Sequence, residues 1–128
     1  MDGESITERE KFTFIFNTGG IIELRLKDNA VLDQKDSVEM ESILSAVKNR
    51  NGYSLLVIAG KNTTTTSECR SYFKNHGMHS KALALIAQNL GQRIMVNFMI
   101  WVYRKKRPNL PVKMFSSTDK ARKWLSQF

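Results

Sequence analysis

The sequence predicts an α/β fold: a mixed sheet of about five strands, an antiparallel hairpin followed by parallel strands, with four helices. Three features carry that prediction. A hairpin signature stands near the N-terminus, two unbroken apolar runs of strand length lie further along, and apolar stripes at helical spacing separate the runs.

Residues 1–10 are polar, carry both charge signs and read as a flexible N-terminal arm. Phe12–Phe16 (FTFIF) and Ile21–Leu26 (IIELRL) are rich in aromatic and β-branched side chains. Asn17, Thr18, Gly19 and Gly20 lie between them, and Asn and Gly tolerate positive φ, so the two runs pair as a short-looped hairpin. Asp33 is placed to cap a helix that runs to about Arg50, where Met40, Ile43, Leu44 and Val47 make one apolar stripe. Asn51-Gly52 ends it. Residues 53–59 (YSLLVIA) form a continuous apolar run, the pattern of a central strand buried on both faces. A loop over 60–66 leads to a helix over Ser67–Asn75, closed by His76-Gly77. Residues 81–87 (KALALIA) repeat the buried-strand pattern, and a helix follows over 90–105. The last strand, 111–115, opens on Pro111, where a missing donor matters least. Thr118 then caps a final helix with Ala121, Trp124, Leu125 and Phe128 on one side. Strands alternating with helices imply right-handed crossovers and parallel pairing after the hairpin.

A chain of 128 residues has room for one core, and its 41% hydrophobic and 25% charged residues are ordinary for a globular protein. One cysteine, Cys69, excludes an internal disulfide framework and any CxxC metal pattern. The polar start of the chain lacks the apolar core of a signal peptide, so a cytoplasmic protein is expected. No run reaches the roughly 18 apolar residues of a membrane span. Net charge is +8 and unevenly placed. Residues 93–128 hold nine bases and the single acid Asp119, while bases and acids cancel over the first 92 residues. An excess confined to the last third points to an anionic partner or surface.

Several strings add a resemblance. They are the strand over 54–59, Glu68-Cys69-Arg70-Ser71-Tyr72-Phe73, the KALALIA strand, Arg93-Ile94-Met95-Val96-Asn97-Phe98 and the closing Lys123-Trp124-Leu125-Ser126-Gln127-Phe128. With the element order, they make the chain similar to the STAS-like (SpoIIAA-like) family of anti-anti-sigma factors and sulfate-transporter domains, and within it to the STAS/SEC14-like bacterial branch. The resemblance implies a SpoIIAA-like fold and a non-enzymatic regulatory or protein-interaction module. It also implies a phosphoacceptor at the start of the helix after the central strand, preceded in the family by an acid. The matching hydroxyls here are Thr65, Thr66 and Ser67, and no acid precedes them.

The Thr63-Thr64-Thr65-Thr66-Ser67 run therefore has two readings. A hydroxyl can cap the following helix, with Glu68 favouring the positive end of its dipole. Alternatively, one hydroxyl can accept phosphate.

The 90–105 helix is apolar nearly all round. Leu90, Ile94, Phe98 and Trp101 make a stripe suited to face the sheet. Met95, Val96, Met99, Ile100, Val102 and Tyr103 then form a second face that calls for a partner: a second copy in a homodimer, another protein, a lipid or other apolar ligand, or a membrane surface. Arg104, Lys105, Lys106 and Arg107 follow. These suit the negative end of the helix dipole, and beside an apolar helix they also suit an anionic lipid surface. Nucleic acid is the weaker reading, because no strand alternates exposed aromatics.

His76 and His79 have no carboxylate close in sequence, so no metal site is expected. GxSxG, P-loop, GxGxxG and HExxH patterns are all missing from the sequence. No catalytic residues and no cofactor are expected.

Overall fold

A computed structural model describes residues 5–16, 20–47, 52–75 and 80–128. The main sheet has six strands: β1 (Ser5–Glu8), β2 (Phe12–Phe16), β3 (Ile21–Leu26), β5 (Ser54–Ile58), β7 (Ala82–Ile86) and β8 (Val112–Phe115), side by side in that order. β1, β2 and β3 are antiparallel, with Phe14 opposite Leu24, and β3, β5, β7 and β8 are parallel. The expected mixed sheet is thus present with one more strand. Ser5–Glu8 is not a free arm; its register places Ile6 opposite Ile15 as an edge strand. Of the expected turn at 17–20 and the expected helix stop at 51–52, residues 17–19 and 51 lie outside the described residues.

The helices are α1 (Gln34–Ser45), α2 (Ser67–Asn75), α3 (Leu90–Lys106) and α4 (Thr118–Leu125). Asp33 caps α1 as expected and forms a reciprocal capping box with Asp36, but the helix closes at Ala46 rather than near Arg50. Ser117, one residue earlier than expected, caps α4 through the Lys120 amide. Strand order runs in one direction from β3 to β8. Each right-handed crossover therefore leaves its helix on the same face. α1, α2 and α3 share that face, and their Met40, Leu44, Cys69, Val96, Ile100 and Tyr103 meet Leu24, Leu55, Val57, Leu83 and Leu85 of the sheet. α4 takes the opposite face, where Ala82, Ala84 and Ala121 are small enough to let it lie close, with Leu56, Ile86 and Leu125 completing the contact.

That second face also holds Glu23, wholly buried and ion-paired with Arg25 and with Arg122 of α4. A carboxylate at such a position needs partners to offset lost hydration, and the two guanidiniums tie β3 to α4.

A small parallel pair, β4 (Val31–Leu32) and β6 (Thr64–Thr65), crosses the carboxyl ends of β3 and β5. The loops around it are zipped together. Asn29 N–H donates to the Lys61 carbonyl (2.7 Å), Asn62 Nδ2 donates to Asn29 Oδ1 (3.2 Å), and Thr63 Oγ1 donates to the Lys27 carbonyl (2.8 Å). Asn29 and Asn62 both sit at φ near +60°, which asparagine tolerates. Gly60 lies where the two loops touch. A methyl group there would collide with the Leu26 carbonyl oxygen and come within 2.6 Å of Thr63 Oγ1.

Candidate functional site

Two segments singled out in the sequence, the threonine run and the 90–105 helix, meet across one groove. It encloses about 680 Å³ at the carboxyl ends of β5 and β7. Asn62, Thr63, Thr64 and Thr65 line one side, Gly91, Gln92, Ile94, Phe98 and Met99 of α3 the other, with Arg70 of α2 and Asn89 completing it.

Buried Gln92 sets the geometry. Its Oε1 accepts from the Gln88 amide (2.7 Å), and its Nε2 donates to the Gly60 carbonyl (2.8 Å). Asn89 Oδ1 caps α3 by accepting from the Gln92 amide (2.9 Å). The start of α3 is thus pinned to the 60–63 loop, and the pin decides which side of the helix faces the sheet.

That side is the reverse of the expected one. Val96, Ile100 and Tyr103 are buried in the core, Met99 packs against it, and Val102 is half-buried. The Met95 side chain lies outside the described residues. The outward stripe is Leu90 (73% exposed), Ile94 (64%), Phe98 (46%) and Trp101 (54%). Phe98 and Trp101 rings lie 6.1 Å apart. The Arg70 guanidinium stands 6.0 Å from the Phe98 ring, and Lys105 Nζ stands 4.4 Å from Trp101.

The hydroxyls of the threonine run have separate roles. Thr66 Oγ1 accepts from the Cys69 amide (3.1 Å), while its carbonyl accepts from the Arg70 amide, so Thr66 caps α2. Thr65 supplies its carbonyl and Oγ1 to Arg70 Nη1, at 2.6 and 3.1 Å. Ser67 is exposed and donates to Glu68 Oε1 (3.2 Å), a carboxylate that would repel phosphate placed there. Thr66→Ala is expected to cost about 1 kcal/mol, read as a fall in the urea midpoint with an unchanged slope.

Arg104, Lys105 and Lys106 are exposed in the last turn of α3. Arg107 is different: its Nη2 donates to the Ser80 carbonyl (2.9 Å), which ties the end of α3 to the β7 approach. The four cations are therefore three solvated charges and one structural tie. About 20 Å of helix separates them from Gly91, so they do not serve the groove. His76 and His79 lie outside the described residues, and no group of three potential metal ligands occurs among the described ones.

Cys69 is buried and accepts from Ser37 Oγ (2.9 Å). Burial pushes its thiol up, so it is held in the unreactive thiol form. Tyr103 is likewise held neutral, its phenol raised far above the ordinary value by burial.

The reading of the sequence missed Arg70, Gly91, Gln92 and Glu23. An acid within the otherwise apolar IIELRL strand was the available signal for Glu23, and a polar residue in phase with Val96 and Ile100 was the signal for Gln92.

The family model described as Domain of unknown function (DUF7793) matches residues 14–128. Among solved structures, the chain is similar to an uncharacterized DUF3478-family protein with a SpoIIAA-like fold from Shewanella loihica PV-4. The two share 15% identity at a TM-score of 0.55, over 98% of this chain and 95% of the other. That likeness bears out the SpoIIAA-like fold. No curated protein matches the chain. No helix among the described residues is long and apolar enough to cross a membrane.

Proposed function

We propose that this chain, which belongs to the DUF7793 family, is a non-catalytic interaction module of SpoIIAA-like fold that docks a protein partner on the outer face of α3. The partner best suited to that face is a second copy. One observation carries the reading: Leu90, Ile94, Phe98 and Trp101 form an unbroken exposed stripe along three turns of one helix. Burying such a stripe releases water from apolar surface, the main driving force of association. A twofold contact is self-complementary. Antiparallel crossing near Ile94 and Phe98 sets the two cationic last turns at opposite ends, so repulsion is small. The non-catalytic part is supported by a buried, raised Cys69 thiol and by Thr65 and Thr66 hydroxyls already engaged.

Sedimentation velocity tests it. The wild-type chain is expected to dimerise in the micromolar range, and Ile94→Glu with Trp101→Glu to be a monomer with unchanged circular dichroism. A wild type that stays monomeric at high micromolar concentration would overturn the self-docking reading. Lys105 over Trp101, beside exposed Arg104 and Lys106, favours one second reading, an anionic membrane surface. A monomeric wild type that pellets with phosphatidylglycerol vesicles but not with phosphatidylcholine ones would put lipid in place of the second copy.

A further inference from the structure

We infer that the groove between residues 62–65 and the first half of α3 binds a small amphipathic carboxylate, its acid group on Arg70 and its apolar tail against Ile94, Phe98 and Met99. The site does not rest on the docking reading, and since Ile94 and Phe98 serve both, ligand and second copy compete for them.

Size and place come first. A groove of about 680 Å³ at the carboxyl ends of parallel strands falls within the ~300–1,000 Å³ typical of small-molecule sites. Charge comes second. Among the described residues of the lining Arg70 is the only ionisable one, and no acid faces it there. Thr65 holds Arg70 by Nη1 alone, so Nε and Nη2 have no hydrogen-bond partner among the described residues. A guanidinium edge held in this way suits the paired oxygens of a carboxylate.

Gly91 is the third observation. It is helical, its φ is not positive, and a Cβ there would meet only Asn89 Oδ1, at an ordinary 3.5 Å. Neither backbone nor packing calls for glycine, and alanine is the better helix former. What the missing side chain does leave is open groove. The fourth observation is the wall behind. Thr65 and Met99 line both the groove and a void of about 30 Å³ walled by Leu32, Val57, Phe73 and Leu85. Met99 is thus a flexible partition between groove and core, and its adaptability lets an apolar tail settle against it. An inorganic anion would use Arg70 and leave this apolar side unfilled.

Isothermal titration of the full chain with octanoate, octanol and inorganic phosphate tests the site. Octanoate is expected to bind saturably at one site, with octanol and phosphate at least about tenfold weaker, as loss of a charge-assisted hydrogen bond or of the tail requires. Arg70→Gln should bring octanoate down to the level of octanol and leave octanol unchanged. Gly91→Phe should remove both, and Thr64→Phe fills the groove from the other side should the first variant melt early. Amide shifts on binding should fall at Thr64, Thr65 and Gly91. No saturable octanoate binding at low millimolar concentration would overturn the site, as would wild-type affinity in the Arg70→Gln or Gly91→Phe protein, or phosphate binding as tightly as octanoate. Sedimentation of the same samples separates the two proposals. Because self-docking covers Ile94 and Phe98, a dimer is also titrated as its Leu90→Glu, Trp101→Glu monomer, which leaves the groove lining intact. No octanoate binding there removes only the groove site, and a wild-type monomer that binds octanoate removes only self-docking.

Discussion

Gly60→Ala is expected to destabilise the chain by about 3 kcal/mol, at the upper end for overpacking of a close contact. The added methyl would run into the Leu26 carbonyl oxygen, with Thr63 Oγ1 at 2.6 Å and the Lys27 carbonyl carbon at 2.7 Å. Two of those atoms are backbone, fixed by the pairing of Leu26 with Phe12 of β2 and by the zipped loops, so they cannot swing aside as a flexible side chain would. The neighbours lose too, since the Gly60 carbonyl accepts from Gln92 Nε2, and a displaced loop frees the start of α3. For a chain of this length the loss should lower the melting temperature by about 10 °C. Gly91→Ala is the control. Its Cβ has ordinary clearance and helix propensity favours alanine, so it should melt with the wild type or slightly above it. Equal melting of the two variants would show that the 60–63 loop gives way easily and does not fix the groove.

The fold was largely legible because its signals are local. Residues 53–59 and 81–87 are apolar on both faces, and a strand with helices on both sides needs that pattern. Asp33 and Thr66 lie where a cap must lie, and both cap. Ser5–Glu8 was not legible. Its burial is slight, and pairing with β2 is carried by backbone groups that any sequence has. Likewise β4 and β6, two residues each, are ordered by loop-to-loop hydrogen bonds between positions about thirty apart in sequence. The groove shares this property. Arg70, Gly91 and Thr64 are unremarkable where they stand in the chain, and only the crossover from β5 through α2 and β7 to α3 brings them together.

The largest contrast expected within one element is between Ile100 and Ile94. Ile100→Ala should cost about 2–4 kcal/mol, the range for deleting a buried aliphatic side chain. Ile94→Ala, measured at a concentration low enough to keep the chain monomeric, should stay within about 0.5 kcal/mol, as surface substitutions do. Ile100 is buried in the core beside Val96 and Tyr103, whereas Ile94 is 64% exposed. The sequence does not distinguish them because α3 carries two stripes of identical spacing. Leu90, Ile94, Phe98 and Trp101 step by four, four and three; so do Gln92, Val96, Ile100 and Tyr103. The second set is offset by two residues, about 200° around the helix, which puts the stripes on opposite sides. Hydrophobicity alone selects the first set, since the second begins with a glutamine. Geometry selects the second, because that glutamine can satisfy both the Gln88 amide and the Gly60 carbonyl only when turned inward. A leucine at that place would leave the buried Gly60 carbonyl without its partner, at about 1–3 kcal/mol, and would take the side-chain acceptor from the part-buried Gln88 amide. One polar side chain thus turns the helix, and four large apolar residues are left facing outward, of which Ile94 and Phe98 line the groove. Paired chemical denaturation of Ile100→Ala and Ile94→Ala measures this directly, and equal costs would mean that α3 does not hold a single orientation on the sheet.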